Sequence, residues 1–391
     1  MTREEITQEI LNLQSKNYLL ELPTGFGKTK ISIEKAKSYS PKSILIVVNR
    51  VVHKDVWKEE FNKWWNNCNA NITITTYSSL HKYVGSYDVC IIDEAHHLSE
   101  RCREILSNYN VEHYILLSAT VNSKLKYIFS NFFHPIYFYS KTLRDAIDDD
   151  ILPDPKIFLL PLYLNNNFPT ETIIKNPKAK GQMIESSWAN RWTYIRQKKN
   201  PVKIYCTEAQ YNQDSTGLIE FWKTRFMRTN SQIAKNKWLH LCNERLNWLS
   251  EKKIPYIIKI LNRLNSKRTL TFCSNIRQTE IYGKYCINSK NKDSSKYLEM
   301  FNSGKINHIT ACNILNEGMN LYNCQVGIYS NLNSSEAIIK QRLGRLLRHK
   351  NPVIIIPYFK GTREEELVKK MMENYNIKLV TVVHDIKDIR I

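Results

Sequence analysis

The sequence contains no C-x-x-C pair. Its nine cysteines, at 68, 90, 102, 206, 242, 273, 286, 312 and 324, are odd in number and scattered. That pattern argues against both a disulfide framework and a structural zinc site. Cys90 and Cys273 stand inside apolar runs and read as small core residues. The opening stretch, Met1–Ile10, carries glutamates and lacks the apolar core of a signal peptide. No run approaches membrane-spanning length, and no internal repeat is visible. These absences lead to the expectation of an intracellular, cytoplasmic chain with no membrane partner. Acidic residues are also in short supply: 37 Asp+Glu stand against 57 Lys+Arg, a formal net charge of +20. A field of that sign favours polyanions, chiefly nucleic acid. The alternatives are a charge kept for solubility, or drift towards Lys, Asn and Ile in an AT-rich genome.

What is present is globular in kind. The chain has 391 residues, 42% of them hydrophobic and 24% charged, enough for two or three domains with sizeable cores. Residues 1–160 alternate short apolar runs (18–22, 43–48, 71–76, 88–92, 114–117) with amphipathic stretches such as 30–38 and 54–65. Strands alternating with helices imply a parallel sheet covered on both faces. A second such series occupies 252–391, with strands expected at 268–273, 306–310, 326–329, 353–356 and 379–383 and helices including 276–286 and 335–347. The fold class expected is therefore α/β, with two tandem domains. No room is left for an added nuclease or methylase domain.

Residues 161–251 differ. They begin with turn-rich segments such as Asn165–Pro169 and continue in a helical pattern from Thr216 to Ser250, broken near Asn230. The span is expected to be a mainly helical insertion. It holds five of the eight tryptophans, and 18 Lys+Arg against 7 Asp+Glu fall between 161 and 265.

Two short segments carry most of the chemistry. Leu22-Pro-Thr-Gly-Phe-Gly-Lys-Thr29 follows a strand and opens a helix, the setting of a phosphate-binding loop. Gly25 and Gly27 let backbone N–H groups approach phosphates, with Thr24 and Phe26 in the same turn, and the helix N-terminus favours anions. Lys28 is expected to reach the β- and γ-phosphates of a nucleotide, and the Thr29 hydroxyl to hold Mg²⁺. Leu22 stands where the simple pattern has glycine, and Pro23-Thr24-Gly25 supplies the turn. The second segment, Gln341–Arg348, places Arg345 and Arg348 three residues apart on one helical face. Their guanidinium forks suit phosphate, and Gln341 lies on the same segment; the alternative is a solvated basic helix.

Between them, Asp88–His96 is a buried strand ending in two carboxylates. Asp93 is expected to complete the Mg²⁺ shell and Glu94 to orient or deprotonate the attacking water. Parallel sheets place ligands at this end of their strands. His96 and His97 lack the further ligands that a metal site needs. Ser118-Ala119-Thr120 follows the next strand, and its hydroxyls are placed to bond the acidic segment and relay closure, although hydroxyls at strand ends also cap helices.

Leu22–Thr29, Asp93–His96, Ser118–Thr120 and Gln341–Arg348 resemble motifs I, II, III and VI of the superfamily 2 helicases, in the same order and with similar spacing. Ile44–Arg50 with Val56–Phe61 resembles motif Ia and its helix, Thr75–Ser78 motif Ib, Leu270–Asn275 motif IV and Glu317–Leu321 motif V. Within that superfamily the chain looks closest to the restriction-type (ResIII-like) DNA translocase branch. It has Swi/Snf-like features, a DEAH box at 93–96, and the phage branch-migration helicases for neighbours. The resemblance implies two RecA-like domains that hydrolyse ATP with Mg²⁺ while tracking along DNA, with RNA the lesser alternative. The chain is expected to be monomeric or weakly associating.

Carried over residue by residue, it assigns Lys28, Asp93, Glu94, Gln341, Arg345 and Arg348 to catalysis, and Gly318 and Asn320 to the nucleotide. Asn49, Arg50, Thr76, Tyr77, Ser274 and Asn275 fall to nucleic acid, and Ser118, Thr120 and His96 to coupling. Gln8 is the candidate adenine reader, with Gln14 competing. The sequence departs from common family residues at Asn49, Cys312 and Asn320. In the insertion, aromatics interleave with cations, a combination that stacks bases while holding phosphates. Arg196, Lys198 and Lys199 are the expected contacts there, whereas Trp222, Trp238 and Trp248 read as core.

Overall fold

The computed structural model describes residues 1–391 except 313–320, 333–345, 347–348, 374 and 376. The expected motif VI residues Gln341, Arg345 and Arg348, and Gly318 and Asn320 of motif V, lie outside the described residues.

Two all-parallel sheets make the two RecA-like lobes. The first contains β1 (Asn17–Glu21), β2 (Ser43–Val48), β3 (Asn71–Thr76), β4 (Ser86–Ile92), β5 (Asn110–Ser118) and β6 (Ile136–Ser140), in the order β3-β2-β4-β5-β1-β6. Alternate residues feed two cores because side chains alternate across a strand. Leu20, Ile46, Ile91 and Leu117 pack under α1 (Arg3–Asn12), α2 (Lys28–Lys37) and α3 (Val52–Trp64). Leu19, Leu45, Ile92 and Leu116 face α4 (Glu100–Leu106) and α5 (Ser123–Phe132). A short α6 (Leu143–Asp148) ends the lobe.

The second sheet has the order β12-β13-β11-β14-β15-β7-β16. It is built from β7 (Lys156–Leu162), β11 (Thr269–Phe272), β12 (Cys286–Ile287), β13 (His308–Ala311), β14 (Val326–Tyr329), β15 (Val353–Phe359) and β16 (Val380–Val382). β7 pairs in parallel with β15 over its whole length. The sequence boundary at 160 thus falls inside a strand of the second lobe. The apolar run 157–162 carries no mark of which sheet it joins, and only its long-range partner decides that.

The insertion is not mainly helical at its base. β8 (Glu171–Lys175), β9 (Ile184–Ser187) and β10 (Val202–Cys206) form a three-stranded sheet with β10 central, and α7 (Arg191–Ile195) lies between β9 and β10. The long helices follow as expected. α8 (Glu208–Thr229) starts with a Thr207 capping box, and α9 (Gln232–Lys252) ends against Lys253. Asn230 makes the turn in the left-handed region at φ 47°, which asparagine tolerates better than most residues. α10 (Ile254–Arg263) continues at once into the second lobe, followed by α11 (Ile276–Tyr282), α12 (Ser294–Asn302) and α13 (Arg363–Met372).

The root of the hairpin is fixed in that lobe. Lys253 is fully buried, and its ammonium meets Glu364 at 2.5 Å and donates to the Pro357 carbonyl at 3.3 Å. Burial pushes its pKa down, against the pull of the Glu364 charge. Among the described residues no helix is long and apolar enough to cross a membrane.

Candidate functional site

β1 ends in the first lobe's interior and the chain turns immediately. Leu22 N–H donates to the Ser118 carbonyl at 3.0 Å, and Phe26 N–H to the Pro23 carbonyl at 3.2 Å. Phe26 is fully buried and anchors the turn. Gly25 (φ 90°) and Gly27 (φ 104°) adopt left-handed conformations that side chains with a Cβ rarely accept. Gly27 caps α2, so the free N–H groups at the start of α2 point out of this loop. The Lys28 ammonium folds back to the Leu22 carbonyl at 3.0 Å. The Thr24 hydroxyl oxygen is buried and has no hydrogen-bond partner. Arg3 approaches the same loop: its Cδ would be 3.9 Å from a Cβ placed on Gly27, and its Nη2 donates to the Ile151 carbonyl at 3.3 Å.

The acidic pair sits at the carboxyl end of β4, two strands away from the loop in the sheet order. Asp93 is held from several sides. Its N–H donates to the Val47 carbonyl at 2.9 Å, Trp57 Nε1–H donates to Oδ2 at 2.9 Å, and Glu94 N–H donates to Oδ1 at 3.0 Å. Burial pushes the Asp93 pKa up and the neighbouring Glu94 adds to the rise, while the Trp57 hydrogen bond and the charges of Lys28 and His53 oppose it. Glu94 has a left-handed backbone at φ 50°. Its Oε2 is buried without a hydrogen-bond partner, 3.4 Å from His96 Nδ1. His96 Nδ1 also lies 3.1 Å from Ser118 Oγ, and Ser118 Oγ donates to the Thr120 carbonyl at 2.8 Å. The contact expected between Ser118 and the acidic segment is thus present.

A buried carboxylate near the Lys28 charge, a hydroxyl at the first turn of α2 and two buried oxygens without partners suit a triphosphate and its Mg²⁺. No cluster of three or more His, Cys, Asp or Glu side chains able to cage a metal exists among the described residues. Mg²⁺ needs no such cage, since it takes one or two protein ligands beside phosphate and water.

The other sequence candidates are spread more widely. Asn49 and an exposed Arg50 follow β2, and buried Thr76 ends β3. Tyr77 corrects an expectation. It is buried, and its hydroxyl donates to the Asp93 carbonyl at 2.7 Å, so it braces the acidic loop and presents nothing to a nucleic acid. Ser274 and Asn275 lie at the end of β11 and are engaged locally: Asn275 accepts Gln278 N–H as the cap of α11, and Ser274 Oγ donates to Gln278 Oε1. Gln8 is exposed on α1, and Gln14 is exposed just beyond it. Arg196, Lys198 and Lys199 are exposed in the turn after α7. Trp248 packs against Tyr211 with ring centroids 4.7 Å apart and donates to Glu171 at 3.1 Å, while Trp222 and Trp238 are half-buried. The residue that sequence reasoning missed is Trp57. The apolar face of α3 predicts its burial, but nothing in the pattern shows that its indole N–H meets Asp93.

Comparison with known proteins agrees with this architecture. Residues 2–123 match the family described as type III restriction enzyme, res subunit, and residues 252–350 match the helicase conserved C-terminal domain. A DNA 3'-5' translocase, XPB2 of Sulfurisphaera tokodaii, is 23% identical over 387 residues, covering 92% of this chain and 82% of the relative. Among solved structures, S. cerevisiae Dbp5 bound to RNA and ADP BeF3 superposes with a TM-score of 0.56 at 11% identity, covering 98% of this chain and 89% of its own. A putative HsdR subunit of a type I restriction enzyme from Vibrio vulnificus YJ016 gives 0.57 at 14% identity, covering 98% and 67%. At such identities these structures speak to the fold alone. Two helicase-type domains in this order, on two RecA-like lobes, indicate a superfamily 2 helicase, an ATP-hydrolysing enzyme that acts on nucleic acid.

Proposed function

We propose that the chain is a DNA translocase or helicase of the ResIII-like branch. In this reading MgATP sits on the first lobe and Gln341, Arg345 and Arg348 approach it from the second. Lys28 neutralises phosphate charge, Thr29 and Asp93 hold the Mg²⁺, and Glu94 orients the attacking water and takes its proton. Mg²⁺, when bound, supplies charge neutralisation at the β- and γ-phosphates. The observation that carries the reading is the pair of buried oxygens without partners, Thr24 Oγ1 and Glu94 Oε2, set at one end of the first sheet. The Thr24 hydroxyl can donate to a phosphate oxygen, and Glu94 Oε2 can accept from a water. The contact between Ser118 and His96 gives the acidic loop a route to the strand beside the phosphate loop. Arg50 and Thr76 lie at neighbouring strand ends, where a tracked strand would run.

DNA is favoured over RNA by the DNA translocase relative and by the match to a restriction-enzyme family. The test is ATP hydrolysis measured with single-stranded, duplex, forked and four-way DNA, with matched RNA controls. Stimulation by DNA above RNA is expected, and displacement of a triplex third strand should accompany it. Stronger stimulation by RNA overturns the DNA assignment. DNA-stimulated hydrolysis without displacement points instead to the ATPase partner of a separate nuclease.

A further inference from the structure

The α8–α9 hairpin is a projecting arm with its charges sorted along its length. Between Ile219 and Leu249 only Ala234 is buried. At the base, carboxylates meet cations: Lys175 pairs with Asp214 at 2.7 Å, and Lys252 with Glu171 and Glu208. Beyond Glu220 the composition changes. Residues 221–243 contain Lys223, Arg225, Arg228, Lys235 and Lys237 and no Asp or Glu. None of these five cations forms an ion pair with a described residue. Two of them lie over rings, Arg225 over Trp222 at 5.3 Å and Lys235 over Phe226 at 5.8 Å. Phe226 and Trp238 stack across the hairpin with centroids 6.0 Å apart and stiffen the tip.

Apolar side chains are also left outside. Phe221 is 56% exposed, Met227 65% and Ile233 77%. Leu218, Phe221, Arg225 and Arg228 recur at helical spacing on the outer face of α8. An acid-free tip with exposed apolar groups is complementary to a partner that offers both phosphate and apolar faces.

We propose that this tip is a second nucleic-acid contact, specific for ends, forks or single strands over continuous duplex. The inference rests on the nucleic-acid enzyme reading above and adds a surface to it. The selectivity follows from where base faces are available. In a continuous duplex every base face is covered by its neighbour, and only phosphates remain for the cations. At a fork, end or gap an exposed base face can stack on Phe221, a contact that is tolerant of sequence, while Met227 and Ile233 offer apolar surface that a covered base cannot use. The cations serve phosphates in every form of nucleic acid.

Two variants separate the parts. Arg225→Ala/Arg228→Ala/Lys235→Ala should weaken binding to duplex and fork alike, and flatten the dependence of log affinity on log salt by roughly two to three. Phe221→Ser/Met227→Gln/Ile233→Gln should keep duplex affinity and the salt slope, but lose about tenfold in affinity for a fork. Affinities are read by fluorescence anisotropy, and helical content and melting temperature report that each variant folds. If folded variants bind both DNAs as the wild type does, the tip assignment fails while the enzyme reading stands. If the wild type itself binds no nucleic acid, both fail. Vesicles containing anionic lipid form the remaining arm: binding that only the wild type shows, with DNA affinity unaltered in the variants, assigns the tip to a lipid surface and overturns the proposal.

Discussion

The two lobes share a topology but finish their strand ends differently. In the first lobe the carboxyl ends leave polar atoms unfinished: Thr24 Oγ1 and Glu94 Oε2 are buried without hydrogen-bond partners. In the second lobe, side chains at the ends of β11 and β14 bond one another, although the buried Tyr375 hydroxyl has no hydrogen-bond partner there either. Ser274 Oγ donates to Gln278 Oε1, Gln278 Nε2 donates to Ser250 Oγ, Ser250 Oγ reaches the Ser330 carbonyl, and the Tyr282 hydroxyl meets Ser330 Oγ at 2.8 Å. A buried polar atom without a partner costs roughly 1–3 kcal/mol. Thr24 stands in the glycine-rich loop and Glu94 on the acidic loop two strands away, the two places where the proposed nucleotide and its attacking water meet the lobe. The second lobe's network is a brace that ties the insertion to that lobe through Ser250.

The contrast can be broken first at Glu94. Glu94→Gln should lower nucleic-acid-stimulated turnover by about 10²–10⁴-fold with little change in melting temperature, and steady-state hydrolysis measures it; retained turnover removes the catalytic claim on the first lobe. In the second lobe the large effect should be on stability alone. Lys253→Met leaves Glu364 buried without its cation and should cost about 3–5 kcal/mol in urea unfolding, while Lys253→Met/Glu364→Leu should recover much of the loss. A double variant no better than the single would mean that packing, and not charge, sets the cost.

Smaller effects sharpen the picture. Trp57→Phe removes the indole donor to Asp93 together with one ring of a buried side chain. The Mg²⁺-dependent part of nucleotide affinity should fall tenfold or more, about 1.5–3 kcal/mol for a hydrogen bond to a charged group, while Mg²⁺-free affinity falls less. Equal losses with and without Mg²⁺, in a titration with a fluorescent nucleotide, would reduce Trp57 to packing. The smallest change is Thr24→Val, which replaces an unsatisfied hydroxyl by a methyl of similar size. It should stabilise the nucleotide-free chain by up to about 1 kcal/mol and weaken nucleotide binding. A lower melting temperature would show that the hydroxyl has a partner after all.

Local chemistry was legible in the sequence, and long-range pairing was not. Gly25, Gly27 and Lys28 announce the phosphate loop because the turn and the ligand demand those residue types at that spacing. The strand at 43–48 is read correctly to the residue, since a fully buried parallel strand is a continuous apolar run. The run at 157–162 looks the same, yet its sheet is chosen by β15, nearly two hundred residues later, and no local pattern records that. The sheet of β8, β9 and β10 was hidden because its strands are short and half-exposed, so polar residues on the outer face, such as Glu185 and Lys203, leave no continuous apolar run to mark them. Tyr77 illustrates the limit for sites. Its neighbours in sequence mark a surface motif, but its ring turns inward to the acidic loop, a direction that only packing determines.

The joint between α9 and α10, only Lys253 long, has a mechanical consequence. With Leu249, Ser250 and Lys253 all buried at the joint, the root of the arm is packed into the second lobe, and a rotation of that lobe carries the arm with it. At 1.5 Å per residue a 22-residue helix is about 33 Å long. A rotation of only ten degrees at its root therefore sweeps the tip through about 6 Å, nearly two base steps of a duplex at 3.4 Å each. A small angular change in one lobe becomes, at the end of this arm, a stroke measured in nucleotides.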